Sequence, residues 1–190
     1  MMKEVSLKEE KIILTDCDGV LLAWEGAFHD WMIGKGFTKK AEATYDISTT
    51  FGIPKTLGKK LVKEFNESAW MGFLPAYKDA RSGVAKLVEH GWKFICITSL
   101  SLDQKAQMLR ISNLKNIFGK NVFIDVVCLD TGADKDVILA EYGAKYPGNY
   151  WIEDKPENVN WGIDAGLEGI LIEHGHNLDY TGHANVVKNW

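Results

Sequence analysis

The most regular feature of the sequence is a series of short apolar runs separated by longer amphipathic stretches. The runs are three to eight residues long, contain many β-branched residues and do not alternate cleanly with polar residues. They occupy residues 12–15, 93–98, 122–129, 150–152 and 169–172. Unbroken apolar runs of this kind are typical of strands that are covered on both faces. We therefore predict five strands of a buried parallel sheet.

The stretches that follow the later runs carry apolar residues at helical spacing. They predict helices over residues 80–90, 103–111, 135–142 and 158–165. Three of these patterns stop at a glycine, a residue that often follows the last turn of a helix. Strands that alternate with helices are typical of a parallel sheet with helices on both faces. The predicted fold class is therefore α/β, with a Rossmann-like three-layer core.

One interval is too long for a simple connection between parallel strands. Residues 16–92 separate the first run from the second, whereas a helical crossover needs only about a dozen residues. The surplus at residues 24–74 contains helical patterns and many aromatic residues. We predict that residues 24–74 form a small inserted helical cap, and that residues 1–23 and 75–190 form the catalytic core.

Composition narrows the class of protein. Hydrophobic residues make up 46% of the chain, enough for a sizeable core, and the net charge of −4 offers no basic field for a nucleic-acid polymer. Three cysteines without C-x-x-C spacing fit a reducing compartment. No signal-peptide pattern and no apolar stretch of membrane-spanning length is present, so we expect a cytoplasmic protein that does not bind membranes.

Polar residues follow several of the predicted strands, at the carboxyl end of each. In parallel α/β sheets, ligands bind beyond this edge. The residues are Asp16 and Asp18 after the first run, Thr98 and Ser99 at the end of the second, Lys135 beyond the third, and Glu153 and Asp154 after the fourth. Four carboxylates, two hydroxyls and one ammonium group are therefore expected to meet at one site.

These groups together are typical of a metal-assisted phosphate site. Carboxylate oxygens are ligands that Mg²⁺ prefers, and a cation would relieve the repulsion between Asp16 and Asp18. Hydroxyls and a lysine suit an anion, and a carboxylate beside a bound phosphate can attack phosphorus while a second acid transfers the proton. Each feature alone also has a simpler explanation, such as a helix cap or a solvated lysine.

The stretch DCDGV at residues 16–20 resembles the first motif of the haloacid dehalogenase-like hydrolases. Thr98, Lys135 and the pair at residues 153–154 resemble the second, third and fourth motifs, and they occur in the order of that family. A cap between the first two motifs is also a pattern of the family. The resemblance implies a hydrolase that acts through an aspartyl-phosphate intermediate with Mg²⁺ as its cofactor.

The resemblance also implies a role for each matched residue. Asp16 would be the nucleophile and a metal ligand, and Asp18 would be the acid and base, with its backbone carbonyl on the metal. The phosphate would be bound by Thr98, Ser99 and Lys135. Asp154 would complete the metal site. Members of the narrower group that the sequence resembles usually have aspartate where this chain has Glu153. It therefore stays open whether Glu153 reaches the metal directly or through water.

A narrower likeness points to the 5'(3')-deoxyribonucleotidases. The stretches DCDGVLLAWEGAF, FLPAYKDA and FICITS resemble that group. In it, the aromatic residue after the first motif lines the nucleoside pocket, a position that Trp24 takes here. Phe65, Trp70 and Phe73 are further candidates for contact with the base. The likeness implies a 5'-nucleotidase for (deoxy)nucleoside monophosphates, and it leaves open whether the protein forms a homodimer.

Two alternatives stay open at this point. The same chemistry could serve another small phosphomonoester, such as a sugar phosphate, because the cap matches the family only loosely. A non-catalytic phosphate-binding module is the other alternative, although the intact set of acids and lysine argues against it. The histidines at 174 and 176 have no cysteine or third histidine at ligand spacing nearby, so they predict a loop rather than a metal site.

Overall fold

A computed structural model describes residues 11–41 and 46–190 of the chain. Within these ranges the protein has one sheet of six strands, in which every neighbouring pair is parallel. The strands are β1 (Ile12–Thr15), β2 (Lys93–Ser99), β3 (Phe123–Leu129), β4 (Tyr150–Glu153), β5 (Glu168–Ile172) and β6 (Asn185–Val187). Their order in the sheet is β3-β2-β1-β4-β5-β6.

The five predicted strands are confirmed, and β6 was missed. This last strand has only three residues and pairs with β5 at the edge of the sheet. Two of its three residues are exposed, so its sequence carries neither an apolar run nor a regular alternation. Its place was decided by the register of the neighbouring strand rather than by its own pattern.

Seven α-helices and one short 3-10 helix, at Ala69–Gly72, are found in the described ranges. The α-helices are α1 (Trp24–Gly34), α2 (Ile47–Phe51), α3 (Lys55–Asn66), α4 (Lys78–Glu89), α5 (Gln104–Phe118), α6 (Asp136–Lys145) and α7 (Pro156–Asp164). The predicted end of α6 at Gly143 was wrong, because the helix continues to Lys145. Gly143 instead permits close packing, since a Cβ atom there would lie 2.2 Å from the carbonyl oxygen of Ala165.

The sheet has a hydrophobic cluster on each face. On β1, Ile12 and Leu14 pack in the cluster that contains Leu139 of α6 and Val159 of α7. Ile13 points to the opposite cluster, to which α4 and α5 contribute apolar residues. Alternate residues of a strand face opposite sides, so both faces of this sheet are covered by helices. The α/β, Rossmann-like three-layer architecture is confirmed.

The segment predicted as a cap, residues 24–74, contains α1, α2, α3 and the 3-10 helix. The rings of Trp24, Phe28, Trp31 and Phe65 pack together there with centroids 4.8–5.8 Å apart, stacked for Trp24 and Phe28 and edge-on or tilted for the other pairs. Phe28 and Phe65 belong to the same hydrophobic cluster as the α4 and α5 side of the sheet. The division into core and cap stays a prediction, and its residues 1–10 and 42–45 lie outside the described ranges.

In the part of the chain that the structure describes, no helix is long and apolar enough to cross a bilayer.

Candidate active site

Three acidic side chains meet where β1 and β4 end. The backbone N–H of Asp16 donates a 2.8 Å hydrogen bond to the carbonyl of Ile152, which continues the pairing of the two strands. This pairing places Asp16 beside Glu153 and Asp154, and all three are buried. One carboxylate oxygen from each lies within 4.8 Å of the others. The convergence that was expected for these three acids is therefore present.

Lys135 lies immediately before α6 and reaches into this acidic group. Its Nζ atom is 2.7 Å from Asp16 Oδ1 and 2.8 Å from Glu153 Oε2, and the side chain is only 2% exposed. Burial opposes the charge of the ammonium group, but the two carboxylates outweigh it and raise the pKa of Lys135 above its usual value. Lys135 is therefore a fixed positive charge beside the carboxylate of Asp16.

Glu153 differs from the other two acids because protein donors occupy both of its oxygens. Oε2 accepts hydrogen bonds from Lys135 and from Asn158 Nδ2, while Oε1 accepts from the backbone N–H groups of Asp154 and Lys155. Burial disfavours the charged form, yet Lys135 and these hydrogen bonds lower the pKa of Glu153 to about 2. Glu153 is thus an ionised anchor for Lys135 and for the start of α7.

The pKa values of Asp16 and Asp154 are shifted in the opposite direction to that of Glu153. Burial and the negative charge of Glu153 raise the pKa of both carboxyl groups well above the usual value. Two buried carboxylates that repel each other form a site with a deficit of positive charge. Their hard oxygen donors fit a divalent cation such as Mg²⁺, and Lys135 supplies only part of the compensation.

The loop after β5 holds Asp154 and the turn after β1 in place. His174 donates from Nε2 to the carbonyl of Gly19 at 2.7 Å, and Asn177 donates from Nδ2 to the carbonyl of Asp154 at 2.7 Å. His176 Nε2 is 3.1 Å from the same carbonyl of Asp154. The two histidine rings stack with their centroids 5.6 Å apart, and both line the same cavity as the three acids. They form part of the site, which their spacing in the sequence did not indicate.

The end of β2 supplies the two predicted hydroxyl groups. Thr98 is buried and lines the cavity, and among the described residues its hydroxyl has no hydrogen-bond partner. Ser99 also lines the cavity, and its hydroxyl donates a 2.8 Å bond to the carbonyl of Ala133. The Thr98 hydroxyl is therefore available to donate to a ligand, whereas the Ser99 hydroxyl connects β2 to the loop before α6.

Asp18 lies apart from the buried acids and pairs with an arginine that the sequence did not single out. Arg110, on α5, donates from both terminal nitrogens to Asp18, at 2.6 Å to Oδ1 and 3.1 Å to Oδ2. Arg110 is fully buried, while 22% of the Asp18 side chain is exposed. No signal in the sequence links the two residues, because they are 92 positions apart.

A cavity of about 300 Å³ joins these groups. Its lining includes the polar residues at the ends of the strands, namely Asp16, Asp18, Thr98, Ser99, Lys135, Glu153 and Asp154. Trp24, Glu25, Ile47, Val62 and Asn66 of the segment at residues 24–74 also line it, as does Tyr77. The indole N–H of Trp24 donates a 2.9 Å hydrogen bond to Asn66 Oδ1, and the ring stacks on Phe28. The cavity therefore combines charged groups with aromatic and aliphatic side chains.

The other aromatic candidates do not line this cavity. Phe65 is completely buried and packs against Trp24 and Phe28, so its ring is part of the hydrophobic core. Trp70 and Phe73 are 44% and 77% exposed and lie outside the cavity. Of the four candidates, Trp24 is therefore the one that lines the cavity.

Comparison with known proteins adds one sequence relative. No protein-family model matches the chain. It is 28% identical over 149 residues to an uncharacterized 32.4 kDa protein of the Gp30-rIII intergenic region of Enterobacteria phage T4. The match covers 75% of this chain and 53% of the phage protein, so the chain spans about half the length of that relative.

Solved structures show the same architecture. A haloacid dehalogenase-like hydrolase from Bacteroides fragilis matches with a TM-score of 0.65 at 15% identity, over 95% of this chain and 98% of that one. D,D-heptose 1,7-bisphosphate phosphatase from B. bronchiseptica, in complex with magnesium and phosphate, matches with a TM-score of 0.60 at 12% identity, over 94% and 93%. The chain has the fold of the haloacid dehalogenase-like hydrolases.

Proposed function

We propose that this chain, which has the fold of the haloacid dehalogenase-like hydrolases, hydrolyses phosphomonoesters. The observation that carries the proposal is the contact between Asp16 and Lys135, whose side chains lie 2.7 Å apart and both line the cavity. A fixed ammonium beside a carboxylate nucleophile attracts a phosphoryl group and reduces the repulsion that the nucleophile would otherwise feel. Thr98, with its unpartnered hydroxyl, supplies a further donor to the phosphoryl oxygens.

The donor set fits a divalent metal, with Asp16 and Asp154 as the side-chain ligands. Both are buried and both offer oxygen atoms, and burial together with the charge of Glu153 raises the pKa of each. Glu153 is the weaker candidate, because its oxygens already accept four hydrogen bonds. When bound, Mg²⁺ would neutralise negative charge on the phosphoryl oxygens.

The proposed reaction has two steps that share one intermediate. A carboxylate oxygen of Asp16 forms a bond to phosphorus, the bond from phosphorus to the leaving oxygen breaks, and Asp18 gives that oxygen a proton. Water then attacks the aspartyl-phosphate, Asp18 takes the proton from the water, and the bond to Asp16 breaks. The products are an alcohol and inorganic phosphate, and both acids return to their starting forms.

The shape of the cavity supports a nucleoside monophosphate as the substrate. Trp24 and Tyr77 line the same cavity as the phosphate-binding groups, and an indole is a good surface for a nucleobase. The volume of about 300 Å³ lies at the lower end of the range of small-molecule sites, so it suits a mononucleotide rather than a polymer. Asn66 holds the indole in one orientation, which favours a flat ligand.

The test is phosphate release from a panel of ribo- and deoxynucleoside monophosphates and sugar phosphates, each with Mg²⁺ and with EDTA. We expect release from at least one class of nucleotide in Mg²⁺ and its loss in EDTA. Higher kcat/KM for sugar phosphates would replace the nucleotide assignment with the alternative substrate class. Binding of inorganic phosphate without release from any ester would favour the non-catalytic module.

A further inference from the structure

Arg110 makes the closest contacts to Asp18 although it does not line the cavity. Its two terminal nitrogens donate to the two oxygens of Asp18, at 2.6 and 3.1 Å. Such a bidentate pair defines the plane of the carboxylate as well as its position. Each carboxylate oxygen keeps further lone pairs, so the exposed edge of Asp18 can still exchange a proton with a ligand in the cavity.

The pair is also obligatory for Arg110. Within the described ranges, its terminal nitrogens otherwise donate only to sulfur atoms, Cys17 Sγ at 2.7 Å and Met71 Sδ at 3.3 Å, and its buried Nε has no hydrogen-bond partner. Among the described residues, Asp18 is the only carboxylate that forms an ion pair with Arg110. A buried guanidinium that lost the Asp18 side chain as its hydrogen-bond acceptor would be strongly unfavourable. Arg110 therefore opposes any rotation of Asp18 away from the observed orientation.

Packing holds the guanidinium in turn. Arg110 lies on α5, and Asn113, one turn later on the same helix, donates a 3.0 Å hydrogen bond to the carbonyl of Leu74. Met71 of the 3-10 helix is fully buried, and its Sδ accepts from the same guanidinium. The guanidinium thus contacts both the turn after β1 and the 3-10 helix, and these contacts restrict its movement.

The geometry points to Arg110 as a positioning residue for Asp18: it holds the Asp18 carboxylate in the orientation from which the proton reaches the leaving oxygen. This inference rests on the proposed function, because it concerns the acid of that reaction. Arg110 touches neither the cavity nor the other acids of the site. Its effect should therefore appear only in the part of the reaction that needs the proton.

The experiment compares kcat/KM for 4-nitrophenyl phosphate and phenyl phosphate, two aryl esters that differ only in the para-nitro group. The value of kcat/KM reports the formation of the aspartyl-phosphate. The 4-nitrophenolate ion is stable enough to leave without a proton, whereas the more basic phenolate depends more strongly on protonation by an acid. We expect Arg110→Met to lose roughly tenfold more activity on phenyl phosphate than on 4-nitrophenyl phosphate, as a misplaced acid would. Arg110→Lys keeps the positive charge but not the two terminal nitrogens that donate to both oxygens of Asp18. It should also lose more kcat/KM on phenyl phosphate than on 4-nitrophenyl phosphate, but by a smaller factor than Arg110→Met.

Two controls separate positioning from a merely structural role. Asn113→Ala removes a buried hydrogen bond of the same helix without touching Asp18, and should affect both esters by the same factor. In an Asp18→Asn background, Arg110→Met should change kcat/KM by less than about twofold, because residues that act as one unit are not additive.

The outcomes distinguish the positioning role of Arg110 from the proposed phosphatase function. Equal losses on both esters in the Arg110 variants would overturn the positioning role while leaving the phosphatase intact. A wild-type protein that cleaves no phosphate ester would overturn the proposed function and this inference together. Thermal melts of each variant show whether it is folded; if Arg110→Met does not fold, Arg110→Lys decides the question through the ratio of the two esters.

Discussion

Gly19 lies directly against the carboxylate of Asp154. A Cβ atom at position 19 would be 2.2 Å from Asp154 Oδ2, and the backbone of Gly19 has a φ of +82°. Both facts demand glycine, because a side chain would collide with the acid and the left-handed conformation disfavours other residues. The glycine of the DCDG stretch therefore serves the site by letting the turn after β1 close onto the end of β4.

Replacing Gly19 with alanine should displace Asp154 and impair the proposed metal site. We expect the Mg²⁺ concentration needed for half-maximal activity to rise, and stability to fall by about 1–2 kcal/mol from the backbone strain. Gly148→Ala is the matched control, since Gly148 has a φ of +73° but no neighbour within 4 Å of a Cβ. It should show a similar strain and an unchanged Mg²⁺ requirement. Equal Mg²⁺ requirements in both variants would contradict this account.

Asp16→Asn should abolish turnover while the fold persists. The substitution removes the proposed nucleophile but little volume, so we expect kcat to fall by at least about a thousandfold. Stability at neutral pH should be kept or increased, because the neutral amide no longer repels Glu153 and Asp154. Asp134→Asn, an exposed neighbour of Lys135, is the control and should leave kcat unchanged. Steady-state kinetics and thermal melts check both parts.

Glu153→Gln should destabilise the protein and weaken phosphate binding. The amide cannot accept from Lys135 and Asn158 as the carboxylate does, and breaking a buried pair typically costs about 3–5 kcal/mol. Urea unfolding measures this loss, and KM should rise because Lys135 is no longer held. Glu157→Gln, at an exposed site in the first turn of α7, should change stability by less than about 0.5 kcal/mol.

The lowered pKa of Glu153 also predicts how acid affects stability. Its folded pKa of about 2 lies below its usual value of 4.5, so the unfolded chain binds the proton more readily between these values. The stabilisation from Glu153 is thus complete above about pH 4.5 and is lost as the pH falls towards 2. The stability difference between wild type and Glu153→Gln should shrink across that window. A constant difference would contradict the assignment of charge to Glu153.

Mg²⁺ should stabilise the protein more at pH 8 than at pH 5. The pKa values of Asp16 and Asp154 are raised in the metal-free protein, so the folded state binds protons more readily than the unfolded one and loses stability as the pH rises. A metal competes with those protons for the same oxygens. Differential scanning fluorimetry at the two pH values, with Mg²⁺ or EDTA, measures the effect.

Asp154→Asn is the matched variant for this experiment. Without metal it should melt a few degrees above wild type at pH 8, since about 1 kcal/mol corresponds to roughly 2–4 °C in a chain of this length. The difference should narrow at pH 5, and Mg²⁺ should no longer stabilise this variant as it does wild type. An undiminished response to Mg²⁺ would remove Asp154 from the metal site.

Trp24 should matter for nucleotides and not for small esters. Stacking of a base on an aromatic side chain is worth about 1–3 kcal/mol, so Trp24→Leu should raise KM for the best nucleotide at least about tenfold. KM for 4-nitrophenyl phosphate should change much less. Trp70→Leu tests an indole of the same segment that lies outside the cavity, and it should leave both values unchanged. A uniform rise in KM for Trp24→Leu would argue against base stacking.

Much of the fold could be predicted because its signals are local. Each apolar run predicts a strand without reference to the rest of the chain. The alternation of strands with helices predicts a parallel sheet, in which the carboxyl ends of the strands share one edge. The meeting of Asp16, Lys135 and Asp154 follows from that topology without any knowledge of side-chain packing. The pattern failed where a strand had three residues, at β6, and where a glycine packed two helices instead of ending one, at Gly143.

The class of fold, and the sheet edge at which the acids and the lysine meet, could thus be inferred from local patterns, because strand order and chain direction already place these residues there. The contacts of each group depend instead on how distant segments pack. Glu153 is saturated by four donors, Asp18 faces Arg110 from 92 positions away, and Trp70 points out of the cavity. The physical reason is that side-chain direction depends on the rotation of each helix and on contacts between distant segments, and neither is written in a local pattern.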